Sequence, residues 1–191
     1  MPLNLMLRII AHIASLMPFI WLGYLAAVGQ LGVNPVEKLT HDTGRWALIL
    51  LLASLSVRPF VQNFKWKKIM PWRRIFGLYA FFYALGHFAI YLVLDLSLDF
   101  GFLWEDIVER PYISVGFFAW LILLVLALTS PQLARKRLGR KWIALHKSVY
   151  AAAGLVLLHY YWLIRADYSS FCWYLVVFIG LMLWRVVLTR K

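Results

Sequence analysis

The residues of this 191-residue chain that could do chemistry are five histidines, one cysteine and a few arginines. His87 and His159 lie inside long apolar runs, His146 opens the second of those runs, His12 is early in the first run, and His41 sits in a polar connection. No Asp or Glu falls within an apolar run, so chemistry there must come from imidazole, guanidinium or aromatic groups. Cys172 has no partner for an internal disulfide, and no CxxC or Cys/His zinc pattern exists, so a metal must find other ligands. Neutral imidazoles in a dry environment suit axial ligation of a haem iron. Taken singly, each is also an ordinary hydrogen-bond partner between helices.

The elements that carry these histidines are membrane spans. Hydrophobic residues make up 63% and charged residues 15%, with a mean hydropathy of +0.75. Soluble domains are roughly half apolar and a quarter charged, so a soluble globule and a disordered chain are both excluded. Apolar segments at about 9–31, 43–61, 75–94, 112–129, 148–164 and 168–188 predict an all-α integral membrane protein, a six-helix transmembrane bundle forming one domain over residues 1–191. Five of these segments hold seventeen or more consecutive uncharged residues. The second holds only twelve between Arg45 and Arg58, about 18 Å of helix, so one of these arginines must snorkel or sit inside the bundle. The first is too long for a signal-peptide core and is expected to be retained.

Charge sets the orientation. Segment 58–74 holds Arg58, Lys65, Lys67, Lys68, Arg73 and Arg74, and segment 131–147 holds Arg135, Lys136, Arg137, Arg140, Lys141 and Lys147, neither with an acid. Both are expected to be cytoplasmic. With Arg8, Arg185, Arg190 and Lys191 that face sums to +16. The opposite face holds all eight acids with Lys38, Arg45, Arg110 and Arg165, and sums to −4. Both termini are therefore expected to be cytoplasmic, and the net charge of +12 reports orientation and not nucleic-acid binding.

Counting from the last cytoplasmic charge gives depth. His87 is thirteen residues past Arg74 and His159 twelve past Lys147, rises of about 19 and 18 Å. The two are thus predicted at one level, as the axial pair of one haem. Ala84, Gly86 and residues 151–154 would let a flat ring approach the backbone, or equally serve tight helix packing. His146, thirteen residues before His159, is about 20 Å lower and about 220° round the helix, so one metal cannot use both. The level that a partner to His146 would occupy holds Arg73 and Arg74, a pair suited to an anionic phosphate or propionate or simply to setting topology. Arg45, near the outer end of its span, is a further candidate for a propionate.

Several stretches resemble a known family. They are 34–47 (NPVEKLTHDTGRWA), 72–87 (WRRIFGLYAFFYALGH), Leu138-Gly139-Arg140-Lys141-Trp142 with Leu145-His146-Lys147, and His159. Together they look like the MsrQ family, also called YedZ, which is similar to the transmembrane domain of ferric reductases and NADPH oxidases. The resemblance implies a non-catalytic electron-transfer subunit of the bacterial inner membrane that binds haem b and also FMN. It would pass electrons from a cytoplasmic flavin reductase to a periplasmic molybdopterin-containing subunit, MsrP-like, that reduces methionine sulfoxide in oxidised proteins. His87, His146 and His159 fall on the family's histidine positions. The ferric reductase pattern would place two histidines on each of the third and fifth spans, and here the third has only His87, leaving a second haem or cofactor site at His146 with His12 as an irregular partner. No GxGxxG follows a strand pattern, so a nicotinamide must be used by another protein. A quinol-oxidising cytochrome b-type carrier is the nearest rival reading. The lack of acids inside the spans argues against a proton-coupled transporter.

Overall fold

A computed structural model describes residues 3–164 and 166–189; Arg165, Arg190 and Lys191 of the charge count lie outside the described residues. The described chain is all helical: α1 Leu3–Ala27, α2 Pro35–Phe64, α3 Trp72–Ile90, α4 Phe100–Glu109, α5 Pro111–Leu128, α6 Gln132–Leu138, α7 Arg140–Leu145, α8 Val149–Leu163 and α9 Ser169–Thr189. Six stretches are long and apolar enough to cross a membrane, and they overlap the six read from the sequence. Two compact units are present, Met1–Asp95 with Val176–Lys191, and Leu96–Leu175.

In the first unit α2 is the central helix. Asn34 caps it, accepting from the Glu37 N–H at 3.2 Å and donating to the Glu37 carboxylate at 3.0 Å, and Pro35 supplies the fixed φ that suits the first turn. Lys65, at φ 57°, ends it. At 30 residues α2 is about 45 Å long, well beyond a bilayer core of about 30 Å, so Arg45 and Arg58 both stay exposed without breaking the helix. Its inner stripe of Leu48, Leu51 and Leu55 is buried, together with Ala80 and Tyr83 of α3. Helices α1 and α3 run parallel, joined at three successive levels. Trp72 Nε1 donates to the Leu7 carbonyl at 3.0 Å, Tyr79 Oη meets His12 Nδ1 at 3.2 Å, and Tyr83 donates to the Ser15 carbonyl at 2.9 Å.

In the second unit α5 packs antiparallel on α8 through Ala119, Leu123, Ala152, Ala153 and Leu157, all buried. Ala152 and Ala153 are therefore helix-packing residues, whereas a Cβ added at Gly86 or Gly154 would meet nothing within 4 Å. Helix α4 occupies part of the acidic connection between the third and fourth spans. Asp99 caps it by accepting from Gly101 and Phe102 N–H groups at 2.8 and 3.1 Å. Before α9, the Asp167 carboxylate accepts from the backbone N–H and hydroxyl of Ser169, which holds its carboxyl below the usual carboxylate range.

One geometric expectation needs correction. His146 and His159 share a continuous rod, Arg140–Leu163, but residues His146–Ser148 tighten into a 3₁₀ turn. At about 120° and 2.0 Å per residue in that turn, His146 lies nearer 280° than 220° round from His159.

Candidate functional site

His87 and His159 each stand on an antiparallel hairpin, α2–α3 and α5–α8. His87 Nδ1 lies 2.9 Å from the Thr40 carbonyl oxygen, and His159 Nδ1 lies 2.7 Å from that of Tyr112. A carbonyl oxygen can only accept, so Nδ1 carries the proton in both rings and the lone pair of the neutral imidazole is on Nε2. This is the tautomer of a metal-binding histidine, whose other N–H is commonly given to a carbonyl or carboxylate. Both rings are half-buried.

Each ring fits against a helix because a glycine faces it. A Cβ built on Gly44 would lie 3.1 Å from His87 Nδ1 and 3.2 Å from its Cε1. One built on Gly116 would lie 2.7 and 2.9 Å from the same atoms of His159, closer than real Cβ contacts allow. Thr40, Gly44, Tyr112 and Gly116 are missing from a reading of the sequence alone. The signal that could reveal them is the equal spacing of the pairs, Gly44 to His87 and Gly116 to His159, 43 residues in each (87 minus 44, 159 minus 116).

The other candidates are distributed as follows. His12 is exposed and packs edge-on to Tyr79, ring centroids 5.6 Å apart, in the first unit. His146 belongs to the second unit, where its Nε2 meets Thr129 Oγ1 at 3.0 Å and its ring stacks on Trp142 at 3.9 Å. Trp142 Nε1 donates to the Thr129 carbonyl at 2.8 Å, and the Arg135 guanidinium lies 5.0 Å over the Trp142 ring. A basic cavity of about 450 Å³, lined by Gln132, Arg135, Lys136 and Gly139, adjoins this stack through Arg135. Arg73 and Arg74 occupy the first turn of α3. The Arg73 carbonyl accepts from Ser54 at 2.7 Å, and Arg74 is exposed. Arg45 is exposed beside Gly44. A second cavity of about 240 Å³, lined by Asn34, Glu37, Thr40, His41 and Asp95, opens at the Thr40 end of the first hairpin.

Among the described residues no three His, Cys, Asp or Glu side chains gather closely enough to hold a bare metal ion. The chain offers single imidazole donors, each oriented by a carbonyl. That donor set fits an iron whose other ligands come from a macrocycle.

The chain is similar to known proteins over most of its length. The family model described as ferric reductase like transmembrane component matches residues 43–158. Three similar proteins bear the name protein-methionine-sulfoxide reductase heme-binding subunit MsrQ. The one from Rhodospirillum rubrum is 45% identical over 164 residues, covering 85% of this chain and 79% of that protein. The one from Xanthomonas axonopodis pv. citri is 40% identical over 185 residues, covering 94% and 85%. The one from Enterobacter sp. is 38% identical over 180 residues, covering 94% and 90%. No solved structure matches the chain. With that identity sustained over most of both partners' lengths, and with the transmembrane family model running from Thr43 to the residue before His159, the chain belongs to the MsrQ family.

Proposed function

We propose that this chain is the haem b-bearing membrane subunit of a protein-methionine-sulfoxide reductase, with His87 and His159 as axial ligands of one haem. It takes electrons from a cytoplasmic flavin reductase, with FMN as the carrier at the inner edge, and passes them across the inner membrane to a periplasmic molybdopterin-containing subunit. The observation that carries the reading is the matched presentation of two imidazoles, each with Nδ1 given to a carbonyl and Nε2 left as the basic nitrogen. Their equal depth by residue count, and the naming of the relatives as heme-binding subunits, support it. A bound haem supplies a one-electron ferric/ferrous couple. The residues of the chain orient the ligands, keep the surroundings apolar and offer guanidinium groups, Arg45 among them, to propionate oxygens.

Visible spectra of the detergent-purified protein, oxidised and then reduced, test this directly. A low-spin haem b that reduced flavin reduces faster than a quinol analogue does is the expected result. A colourless protein, or a haem reduced only by quinol, would overturn it.

The proposed orientation has both termini and the two basic connections in the cytoplasm, because all eight acids fall on the other side. A single cysteine placed in 65–68 of a Cys172→Ser background should be protected from an impermeant thiol reagent in intact spheroplasts, and one at Asp99 should react. The reverse pattern would invert the topology and with it the direction of electron flow.

A further inference from the structure

The two histidine hairpins are built to one plan. Thr40 and His87 are 47 residues apart, and so are Tyr112 and His159. The second set follows the first at a constant offset of 72 residues (112 minus 40, 116 minus 44, 159 minus 87). The same offset carries Ala47 onto Ala119, Leu51 onto Leu123 and Ala80 onto Ala152, and all six are buried in the contact of their own hairpin. The two hairpins thus share a ring contact, a packing register and a tautomer at one offset.

The local physics explains why the glycine stands where it does. In an α-helix the carbonyl of residue i points at the N–H of residue i+4, so Thr40 points at Gly44 and Tyr112 at Gly116. A side chain on residue i+4 would flank that oxygen and block an outside donor. Glycine leaves the carbonyl open from the side, and the imidazole Nδ1–H enters there; at Thr40 the Thr43 hydroxyl also lies 3.1 Å from the same oxygen, its shorter contact of 2.7 Å being to the Leu39 carbonyl.

We infer that the Thr40 carbonyl with Gly44, and the Tyr112 carbonyl with Gly116, are repeated positioning clamps that fix the tautomer and ring direction of His87 and His159 and tune the electron donation of Nε2. This rests on the proposed role of the two histidines as iron ligands. Donation of the Nδ1 proton to a carbonyl raises the basicity of Nε2, which favours ferric over ferrous iron and lowers the midpoint potential. The Gly116 clamp is the tighter, with the shorter hydrogen bond and the closer notch, so His159 is the more sensitive of the two.

The test uses the full-length purified protein loaded with haem. Gly116→Ala should raise the midpoint potential and shift the low-spin electron paramagnetic resonance signal, Gly44→Ala should do so less, and Gly23→Ala and Gly180→Ala, where an added Cβ meets nothing, should do neither. Equal behaviour of all four variants would overturn the clamp. A second arm does not depend on the glycine variants inserting normally. In His159→Gly, added imidazole and added 1-methylimidazole should both restore a low-spin spectrum, but only imidazole, which retains an N–H for the Tyr112 carbonyl, should restore the wild-type potential. Equal potentials with the two additives would overturn the clamp while leaving the ligand assignment intact. A low-spin haem that persists in His159→Gly without any additive would instead overturn the ligand assignment.

Discussion

Alanine at His87 or at His159 is expected to abolish the low-spin haem spectrum and to lower haem retention to a small fraction of wild type, whereas His12→Ala and His41→Ala should keep both. Each substitution removes one nitrogen donor, so any haem still held has a single axial imidazole and becomes high-spin. The result would not be a disguised folding defect. The Thr40 and Tyr112 carbonyls that lose the imidazole lie within α2 and α5 and keep the helical N–H four residues on, so no buried acceptor is left without a partner. The packing around the rings rests on Ala80, Tyr83, Ala152 and Leu157, which do not change. A full complement of low-spin haem in both alanine variants would rule out the pairing. A normal spectrum in one of them would show that the ligand on that hairpin is another residue.

How much of this was legible in the sequence depends on the range of the interaction. The spans are a property of consecutive residues: five appear as long uncharged runs and the second as a shorter run between Arg45 and Arg58. Helix α4 does not, because Glu105, Asp106 and Glu109 break its apolar pattern and its main start signal is the Asp99 cap. The 3₁₀ turn at His146–Ser148 carries no Gly or Pro to mark it, and it alters the angular position of the histidine that a uniform helix predicts. The clamps are the extreme case. Each requires two helices to meet in register 43 to 47 residues apart, and around Gly44 and Gly116 the side chains diverge, Thr43-Gly44-Arg45-Trp46 against Val115-Gly116-Phe117-Phe118. What repeats beyond the equal Gly-to-His spacing is the small or apolar character at contact positions, which ordinary apolar helices share, so that spacing gains its meaning once the contacts are known.

The same offset bears on the number of haems. Seventy-two residues before His146 stands Arg74, so the histidine that the second hairpin carries near its basic end has an arginine as its counterpart in the first (146 minus 72). The plan that supplies a matched donor at His87 and His159 therefore supplies a cation and an imidazole at the other end. His146 is itself engaged by Thr129 and Trp142. A guanidinium and a stacked imidazole each suit an anionic, planar electron carrier better than they make a second bis-histidine iron site.

From that pairing follows the second large effect: Arg73→Gln combined with Arg74→Gln is expected to slow reduction of the haem by a cytoplasmic flavin donor about tenfold or more, with an unchanged haem spectrum. Tenfold is about 1.4 kcal/mol, within what charge-assisted hydrogen bonds to phosphate oxygens supply. The need for such a site is set by distance. His146 and His159 are separated by thirteen residues of rod, about 20 Å, so under the proposed electron flow a carrier would be needed at the His146 end. The position of the arginines argues that they are not present for helix stability. Both stand in the first turn of α3, where the helix dipole disfavours cations by a few tenths of a kcal/mol or more, and a bound anion would reverse that cost. Loss of the two charges should therefore not weaken the first turn of α3 through the dipole. Insertion should stay normal as well, since Arg58, Lys65, Lys67 and Lys68 remain in the same connection to set its side. Stopped-flow reduction by reduced FMN or its reductase, compared with dithionite, separates the outcomes. A slowed flavin reaction with an unchanged dithionite reaction supports the arginine site, and a wild-type flavin rate reduces Arg73 and Arg74 to topology-setting charges.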